Sequence, residues 1–191
     1  MKPDEPRYGS IDDYGEHWVA GARAVILDTA TLGKLREMLV ERLEPDKVRF
    51  VMNGLGYTEG WRIADRLLPK QPAWQSDYQL GLAAVARLCG FGHARLELDQ
   101  FNSPVVTLED SGEALDYRLR HERTAEPVCH IFAGFVRGYL SRLLDRPVTC
   151  LEYRCLACAE ERCGFRVEFL PPGVTLTGDD ADLHQRVIAL R

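Results

Sequence analysis

The sequence lacks a basic stripe, a secretion signal and a long apolar run. Its 191 residues carry a formal net charge of −5 at pH 7, and Lys and Arg are scattered along the chain, which argues against a surface that binds nucleic acid. Residues 1–17 are polar and acidic, without the cationic start and apolar centre of a signal peptide. No apolar run approaches the roughly 20 residues that cross a bilayer. We therefore expect a cytoplasmic protein that contacts neither nucleic acid nor a membrane.

The cysteines are the most informative residues that the chain contains. Of the six, Cys155, Cys158 and Cys163 lie close together, Glu152 precedes them, and Cys129 ends the upstream run Glu-Pro-Val-Cys. Where thiols stay reduced, such a group indicates a metal before it indicates disulfides. A structural zinc ion takes four ligands in a tetrahedron, so a zinc site is our first interpretation. The spacing alone does not decide between Glu152 and Cys158 as a ligand.

The alternative to a metal site is a set of inert, buried thiols, because free cysteine is among the most buried residue types. We expect that state for Cys89 and Cys150, which lie alone in apolar surroundings. A thioredoxin-like redox site is not favoured, since Cys155 does not open a helix after a strand in a βαβ unit.

The periodicity of apolar residues predicts a mixture of helices and strands. Helical spacing recurs at residues 31–43, 45–51, 57–68, 80–88, 128–144 and 181–191. Strand-like patterns occur at residues 23–27, 94–99, 105–109, 148–153 and 166–170. The second and third of these flank a turn and indicate a hairpin. Residues 111–123 are polar and predict a loop with a short helix, while residues 70–72 interrupt the helical pattern.

Two blocks of the chain carry recognisable motifs. Residues 27–61 have a Leu-Gly near the start of a predicted helix and close in Gly-Tyr-x-x-Gly-Trp. Residues 126–169 contain Glu-Pro-x-Cys, then Gly-Phe-x-x-Gly-Tyr, then Glu-x-x-Cys with a further Cys eight residues on. In this order they resemble the sensor domain of the aromatic-responsive, sigma-54-dependent activators, the phenol- and xylene-sensing regulators. The second block is similar to the 4-vinyl-reductase domain of that family.

The resemblance implies an α+β fold, in which a small antiparallel sheet and packed helices surround a buried ligand pocket beside a structural zinc ion. The implied zinc ligands are Cys129, Glu152, Cys155 and Cys163, which leaves Cys158 as an extra cysteine. The implied division of the chain is a flexible N-terminal arm (1–17), an N-terminal part of the sensor with dimerisation and pocket residues (18–125), a 4-vinyl-reductase-type zinc-binding part (126–172) and a C-terminal linker helix (173–191).

The implied function is the sensing of a small aromatic or other apolar compound by a homodimer. Ligand occupancy would be relayed to an ATPase and a DNA-binding output outside this chain, which is either an excised sensor or a free-standing relative. By position, the candidate pocket residues are Leu80, Val106, Leu108, Phe132 and Tyr139, of which Tyr139 alone has a hydrogen-bond donor. The phenol sensors hold the phenol hydroxyl with a histidine and a tryptophan. Here the matching helix has no histidine and Leu108 stands where the tryptophan falls, so phenol itself is not predicted.

Two other functions are open at this stage. The name of the 4-vinyl-reductase domain implies an accessory enzyme of pigment synthesis, but the chain has no glycine-rich dinucleotide fingerprint, and a metal site with four protein ligands leaves no open position for catalysis. We therefore expect a protein that is not an enzyme. An assembly adaptor is the other possibility, because subunits of trafficking complexes are built on a related fold; a filled cavity would favour it.

Overall fold

The computed structural model describes residues 9–11, 13, 15–67, 69, 77–171, 183 and 185. Within this part of the chain the strands are β1 Gly9–Ile11, β2 His17–Val19, β3 Ala22–Ala24, β4 His93–Leu98, β5 Pro104–Glu109, β6 Val148–Arg154 and β7 Cys163–Phe169. The helices are α1 Thr29–Val40, α2 Pro45–Leu67, α3 Tyr78–Leu88, α4 Gly112–Arg120 and α5 His130–Leu144, with a 3-10 turn at Leu156–Cys158. No helix in these ranges is long and apolar enough to span a membrane.

The strands form two antiparallel sheets. β1, β2 and β3 make a small sheet in sequence order, and the larger sheet has the order β4-β5-β7-β6. The predicted hairpin is present as β4 and β5, which pair from His93 with Glu109 to Leu98 with Pro104. β5 and β7 occupy the two central positions, and the buried residues Val106 and Phe165 are paired across them. The α+β class with small antiparallel sheets is confirmed.

Local sequence signals explain where the helices begin and end. The carboxylate of Asp28 accepts a hydrogen bond of 2.7 Å from the backbone of Thr31 and caps α1. Ser111 caps α4 in the same way. α3 is followed by Gly90 and Gly92, both with positive φ, a conformation that glycine adopts without a steric penalty.

The contact between α2 and α5 organises the domain. Gly56 and Gly60 on α2 face Gly134 and Gly138 on α5, and the two backbones approach so closely that none of the four positions has space for a side chain. A Cβ at Gly56, for example, would overlap the carbonyl oxygen of Ile131. These glycines belong to the two Gly-x-x-x-Gly spacings in the motifs of the sequence, so the motifs specify a close helix crossing.

α5 is the centre of the hydrophobic core. Every residue from 131 to 141 is buried, because the helix packs against both α2 and the four-stranded sheet. Its aromatic residues contact elements that are distant in the chain: the ring centroid of Phe132 lies 5.1 Å from that of Phe165 and 5.3 Å from that of Phe91. The most apolar predicted helix is therefore the most buried one.

Several predicted elements differ from the structure. The two helices predicted before residue 69 are one continuous helix, α2, since Gly54 and Gly56 lie inside it and Gly56 serves close packing instead of a turn. Strands occupy residues 9–11 and 17, although composition predicted a flexible arm over 1–17. The strand predicted at 23–27 ends at Ala24, and the next three residues are exposed. The predicted interruption at 70–72 lies outside the described residues, as does most of the predicted linker helix at 173–191.

Candidate functional site

The four side chains implied as metal ligands are supplied by three neighbouring segments. Cys129 is the N-cap residue of α5. Glu152 lies in β6, Cys155 directly follows that strand, and Cys163 begins β7. β6 and β7 pair antiparallel with a register shift between Glu152 and Arg154. The hairpin β6–β7 thereby brings three candidate ligands beside the start of α5.

The geometry of this cluster fits a tetrahedral metal site. The Sγ–Sγ distances are 3.6 Å between Cys129 and Cys163 and 4.0 Å for both pairs that include Cys155. Tetrahedral zinc with Zn–S bonds of about 2.3 Å requires Sγ–Sγ distances of roughly 3.8 Å. A disulfide would require about 2.05 Å, and all six cysteines are free. The ligand atoms of the three cysteines and Glu152 all lie within 4.8 Å of one another, and all four residues are buried.

The two carboxylate oxygens of Glu152 have different surroundings. Oε2 accepts a hydrogen bond of 2.7 Å from the backbone N–H of Cys129. Oε1 is buried and has no hydrogen-bond partner among the described residues. A buried oxygen without a partner is costly, and a metal ion bound by this oxygen would remove the cost.

The electrostatics of the cluster also favour a cation. Burial raises the pKa of Glu152 to about 9, and burial raises the pKa of the Cys129 thiol well above its ordinary value. Hydrogen bonds from Cys129 and Cys163 hold the pKa of Cys155 far below its ordinary value. Four acidic groups in one buried site cannot all ionise without a compensating charge. A divalent cation would supply that charge.

Neutral hydrogen-bonding groups complete the surroundings of the thiols. Ser111 Oγ lies 3.1 Å from Cys129 Sγ, and the backbone N–H of Leu156 donates to Cys163 Sγ at 3.3 Å. Cys158, the alternative ligand by spacing, lies in the 3-10 turn and does not join the cluster. Cys89 and Cys150 are half-buried and stand outside it as well.

The predicted pocket residues fall into two groups. Val106, Leu108, Phe132 and Tyr139 lie together in the main hydrophobic core and are almost completely buried. Leu80 is 57% exposed and does not belong to this core cluster; it lies in the first turn of α3. The hydroxyl of Tyr139 is buried without a hydrogen-bond partner among the described residues. An unpartnered donor inside an apolar core marks a point where a ligand oxygen can be held.

A cavity of about 380 Å³ lies elsewhere, and sequence reasoning did not find it. It is enclosed by α1, α2, α4 and the start of α5, and none of the five predicted pocket residues lines it. Its wall includes Leu32, Arg36, Met52, Glu113, Tyr117 and Ile131. The only feature of the sequence that pointed to this cavity was the amphipathic pattern of the helix predicted at residues 31–43.

Comparison with known families covers most of the chain in two consecutive blocks. Residues 11–102 match the family described as "Activator of aromatic catabolism". Residues 104–169 match the 4-vinyl-reductase domain family. The resemblance to the sensor domain of the aromatic-responsive activators is confirmed.

Individual relatives agree with this assignment. The chain is 23% identical over 158 residues to the transcriptional regulatory protein XylR of Pseudomonas putida, and 24% identical over 158 residues to the phenol regulator MopR of Acinetobacter guillouiae. Each match covers 78% of this chain, which spans 28% of the length of each relative.

Solved structures identify the fold. The crystal structure of the phenol-responsive sensory domain of the transcription activator PoxR with phenol has a TM-score of 0.76 and 21% identity, over 95% of this chain and 92% of that one. A trafficking protein particle complex subunit 3 from Naegleria fowleri, covalently bound to palmitic acid, has a TM-score of 0.57 and 17% identity, over 75% of this chain and 93% of that one. The fold is thus shared by a sensory domain and by a subunit of a trafficking complex.

Proposed function

We propose that this chain is the small-molecule sensing domain of a transcriptional regulator and that its ligand is an aromatic or other apolar compound. The observation that carries the proposal is the match of two family blocks in the order found in the aromatic-responsive activators. The similarity of its fold to the PoxR sensory domain, which extends over 95% of this chain, supports it. The output is an ATPase and a DNA-binding part outside this chain, which itself contacts neither nucleic acid nor a membrane and acts in the cytoplasm.

The metal in this proposal is zinc, held by Cys129, Glu152, Cys155 and Cys163. The Sγ–Sγ distances of 3.6–4.0 Å and the unpartnered Oε1 of Glu152 support this assignment. All four positions of a tetrahedron are then filled by protein, so the ion is structural. It joins the start of α5 to the hairpin β6–β7 and stabilises the zinc-binding part that we place at residues 126–172, which includes most of the 4-vinyl-reductase match at 104–169.

The aromatic ligand is placed among Val106, Leu108, Phe132 and Tyr139. These side chains come from β5 and α5, and their surface is apolar except for the Tyr139 hydroxyl. Since ligand sites are mostly apolar with a few polar groups that fix orientation, Tyr139 serves as the polar anchor. Leu80 is left out of the site because of its exposure.

Dimerisation and relay are assigned to α1 and α2. Large apolar side chains are exposed on both helices, namely Leu35, Met38, Phe50, Val51 and Leu55, as expected where a second copy of the chain packs. On another part of α2, Tyr57 and Trp61 pack against Leu183 of the C-terminal segment. Occupancy of a site on α5 can therefore reach the C-terminal linker through α2.

An assembly adaptor is the second candidate. Two observations favour it: the fold is shared with the trafficking-complex subunit, and four of the proposed pocket residues fill the core. An accessory enzyme of pigment synthesis is the weaker alternative, because the metal cluster offers no open coordination position.

The deciding experiment is thermal unfolding of the chain with toluene-like, phenol-like and biphenyl-like compounds. A bound ligand stabilises the folded state by mass action, so at least one class should raise the melting temperature. Tyr139→Phe should weaken binding of hydroxylated compounds and leave toluene-like compounds unaffected. Tyr153→Phe, at a half-exposed tyrosine outside the site, is the control. If no aromatic compound shifts the melting temperature, the adaptor function is the better explanation.

A further inference from the structure

The cavity between α1, α2, α4 and the start of α5 has an apolar floor with charged groups at its edge. Leu32, Val40, Met52, Val128 and Ile131 contribute the apolar surface. Its volume of about 380 Å³ lies within the range of about 300–1,000 Å³ that is typical of small-molecule sites. The aromatic site proposed above does not account for this cavity, because the two share no residue.

The carboxylates at the edge of the cavity already have cationic partners. Glu37 accepts hydrogen bonds from Lys34 at 3.0 Å and from Arg120 at 3.4 Å, and His121 lies 3.6 Å from it. Asp116 accepts a hydrogen bond of 2.8 Å from Arg120. These acids and cations neutralise one another, so they offer little to an incoming charge.

The partly buried carboxylate of Glu113 also has hydrogen-bond partners. One oxygen accepts a hydrogen bond of 3.0 Å from the backbone N–H of Ile131, and the other accepts one of 2.8 Å from Phe132. Glu113 therefore caps the free N–H groups at the start of α5, and neither of its oxygens forms an ion pair with a side chain among the described residues.

Arg36 is the cationic side chain of this cavity that keeps unused hydrogen-bond donors. Its guanidinium donates one hydrogen bond of 3.4 Å to the carbonyl oxygen of Val128 and lies 4.8 Å from the centre of the Tyr117 ring. Among the described residues no carboxylate lies within ion-pair distance of it, and its charge acts on Glu113 only at longer range. A guanidinium has five N–H donors arranged to bind a carboxylate through two parallel hydrogen bonds, so Arg36 can accept an anion without giving up its present contacts.

We propose that this cavity is a second ligand site, which binds an amphipathic monocarboxylate with its carboxylate on Arg36 and its apolar body on the floor formed by Leu32, Met52 and Ile131. The combination of one spare guanidinium and an apolar floor favours this class over a dication, a phosphate-rich compound or a neutral hydrocarbon. The site is independent of the aromatic site. A ligand there bridges α1 to the start of α5 and stabilises the junction next to Cys129.

The test is calorimetric titration of the whole chain with two carboxylates, benzoate and octanoate, and with their neutral counterparts, benzyl alcohol and octanol. We expect at least one carboxylate to bind about tenfold or more tightly than its alcohol, since a charge-assisted pair contributes more than a neutral hydrogen bond. Binding of benzoate alone identifies an aryl acid, and binding of octanoate alone identifies an alkyl acid. Failure of both acids, or equal binding of acid and alcohol, overturns the proposal.

Two variants locate the binding. Arg36→Gln should weaken carboxylate binding about tenfold or more, whereas Arg42→Gln, the same change at an exposed arginine that does not line the cavity, should not weaken it. Val40→Trp extends an exposed side chain of the rim over the opening and should block both acids without burying a larger group in the core. Carboxylate binding unchanged in both Arg36→Gln and Val40→Trp would place it elsewhere. Binding of toluene-like compounds should be unchanged in Arg36→Gln, which separates this site from the aromatic one.

Discussion

The backbone N–H of Cys129 donates a hydrogen bond of 2.7 Å to Oε2 of Glu152, 23 residues further along the chain. This bond connects the start of α5 to β6 and orients the carboxylate. The other oxygen, Oε1, remains buried and unpartnered among the described residues, on the residue that joins the three thiols in the cluster. The Glu152 side chain thereby orders the backbone of one candidate metal ligand, Cys129, and is itself another candidate ligand.

Replacing Cys163 with Ser is expected to release zinc and destabilise the domain. Removing one partner from a buried group of charges costs about 3–5 kcal/mol, which corresponds to roughly 6–20 °C in the melting temperature of a domain of this size. Metal binding and folding are linked, so metal content and melting temperature should fall together. Both are measured on purified protein, by elemental analysis and by thermal unfolding.

Cys158→Ser is the matched control for this variant. It makes the same chemical change at a half-buried cysteine three residues after Cys155 that stands outside the cluster. Full zinc content and a nearly unchanged melting temperature are expected. The zinc assignment is wrong if the wild-type protein binds no metal, and the ligand assignment is wrong if Cys158→Ser loses metal while Cys163→Ser keeps it.

The stability of the protein should depend on pH through Glu113. Burial raises the pKa of this carboxyl to about 7, against the lowering effect of its hydrogen bonds with Phe132 and Ile131. Because the folded-state pKa lies above the ordinary value of 4.5, the folded state binds the proton more tightly than the unfolded state. The contribution of Glu113 is therefore fully present below pH 4.5 and is lost as the pH rises through 7.

Glu113→Gln should flatten this part of the pH profile of the free energy of unfolding. The amide accepts only one of the two backbone hydrogen bonds, so a loss of about 1–3 kcal/mol is also expected. Urea unfolding between about pH 5 and pH 8 measures both effects. Glu126→Gln, at an exposed carboxylate, should leave the profile unchanged. An identical slope in wild type and Glu113→Gln would contradict the assignment.

The close crossing of α2 and α5 gives a sharp contrast between two neighbouring glycines. Gly56→Ala should destabilise the protein by about 1–3 kcal/mol or more, because the new methyl group overlaps the backbone of Ile131. Gly54→Ala should be neutral or stabilising by up to about 1 kcal/mol, since the nearest atom to its added Cβ is Leu183 at 3.6 Å and alanine favours a helix interior. If both substitutions changed the free energy of unfolding in urea equally, the two helices would be farther apart at their crossing than in the structure.

The sequence predicted the cluster of three cysteines and Glu152 better than the cavity around Arg36, and the reason is physical. Cys155 and Cys163 are close along the chain, and a hairpin is sufficient to bring them together. Their proximity to Cys129 depends on tertiary structure. Spacing also could not distinguish Glu152 from Cys158 as the fourth ligand, and the family resemblance supplied that choice. The cavity around Arg36 is formed by two pairs of helices, α1 with α2 and α4 with α5, that are separated by more than 40 residues, so its lining follows from tertiary packing and not from a local motif.

Helix boundaries show the same dependence on tertiary contacts. Gly54 and Gly56 fall in the gap between the two helices predicted at 45–51 and 57–68, and glycine is unfavourable inside an isolated helix. In the structure the packing of Gly56 and Gly60 against α5 outweighs that cost and α2 is continuous. Leu80, a candidate pocket residue by position, is exposed in the first turn of α3, and periodicity alone does not give the orientation of a residue at a helix start.

Leu183→Ala is expected to weaken the relay of ligand occupancy without weakening ligand binding. The side chain packs against Tyr57 and Trp61 on α2, and α2 is in direct backbone contact with α5, where the aromatic ligand is placed. Leu183 is only half-buried, so its truncation should cost about 1 kcal/mol of stability. For the test, this chain is fused to the ATPase and DNA-binding parts of XylR. Induction of a reporter gene by the fusion protein is then compared with the ligand affinity measured by calorimetry. Induction should fall severalfold at unchanged affinity in Leu183→Ala and stay normal in Gln185→Ala, an exposed neighbour; a parallel fall of induction and affinity would place the relay elsewhere.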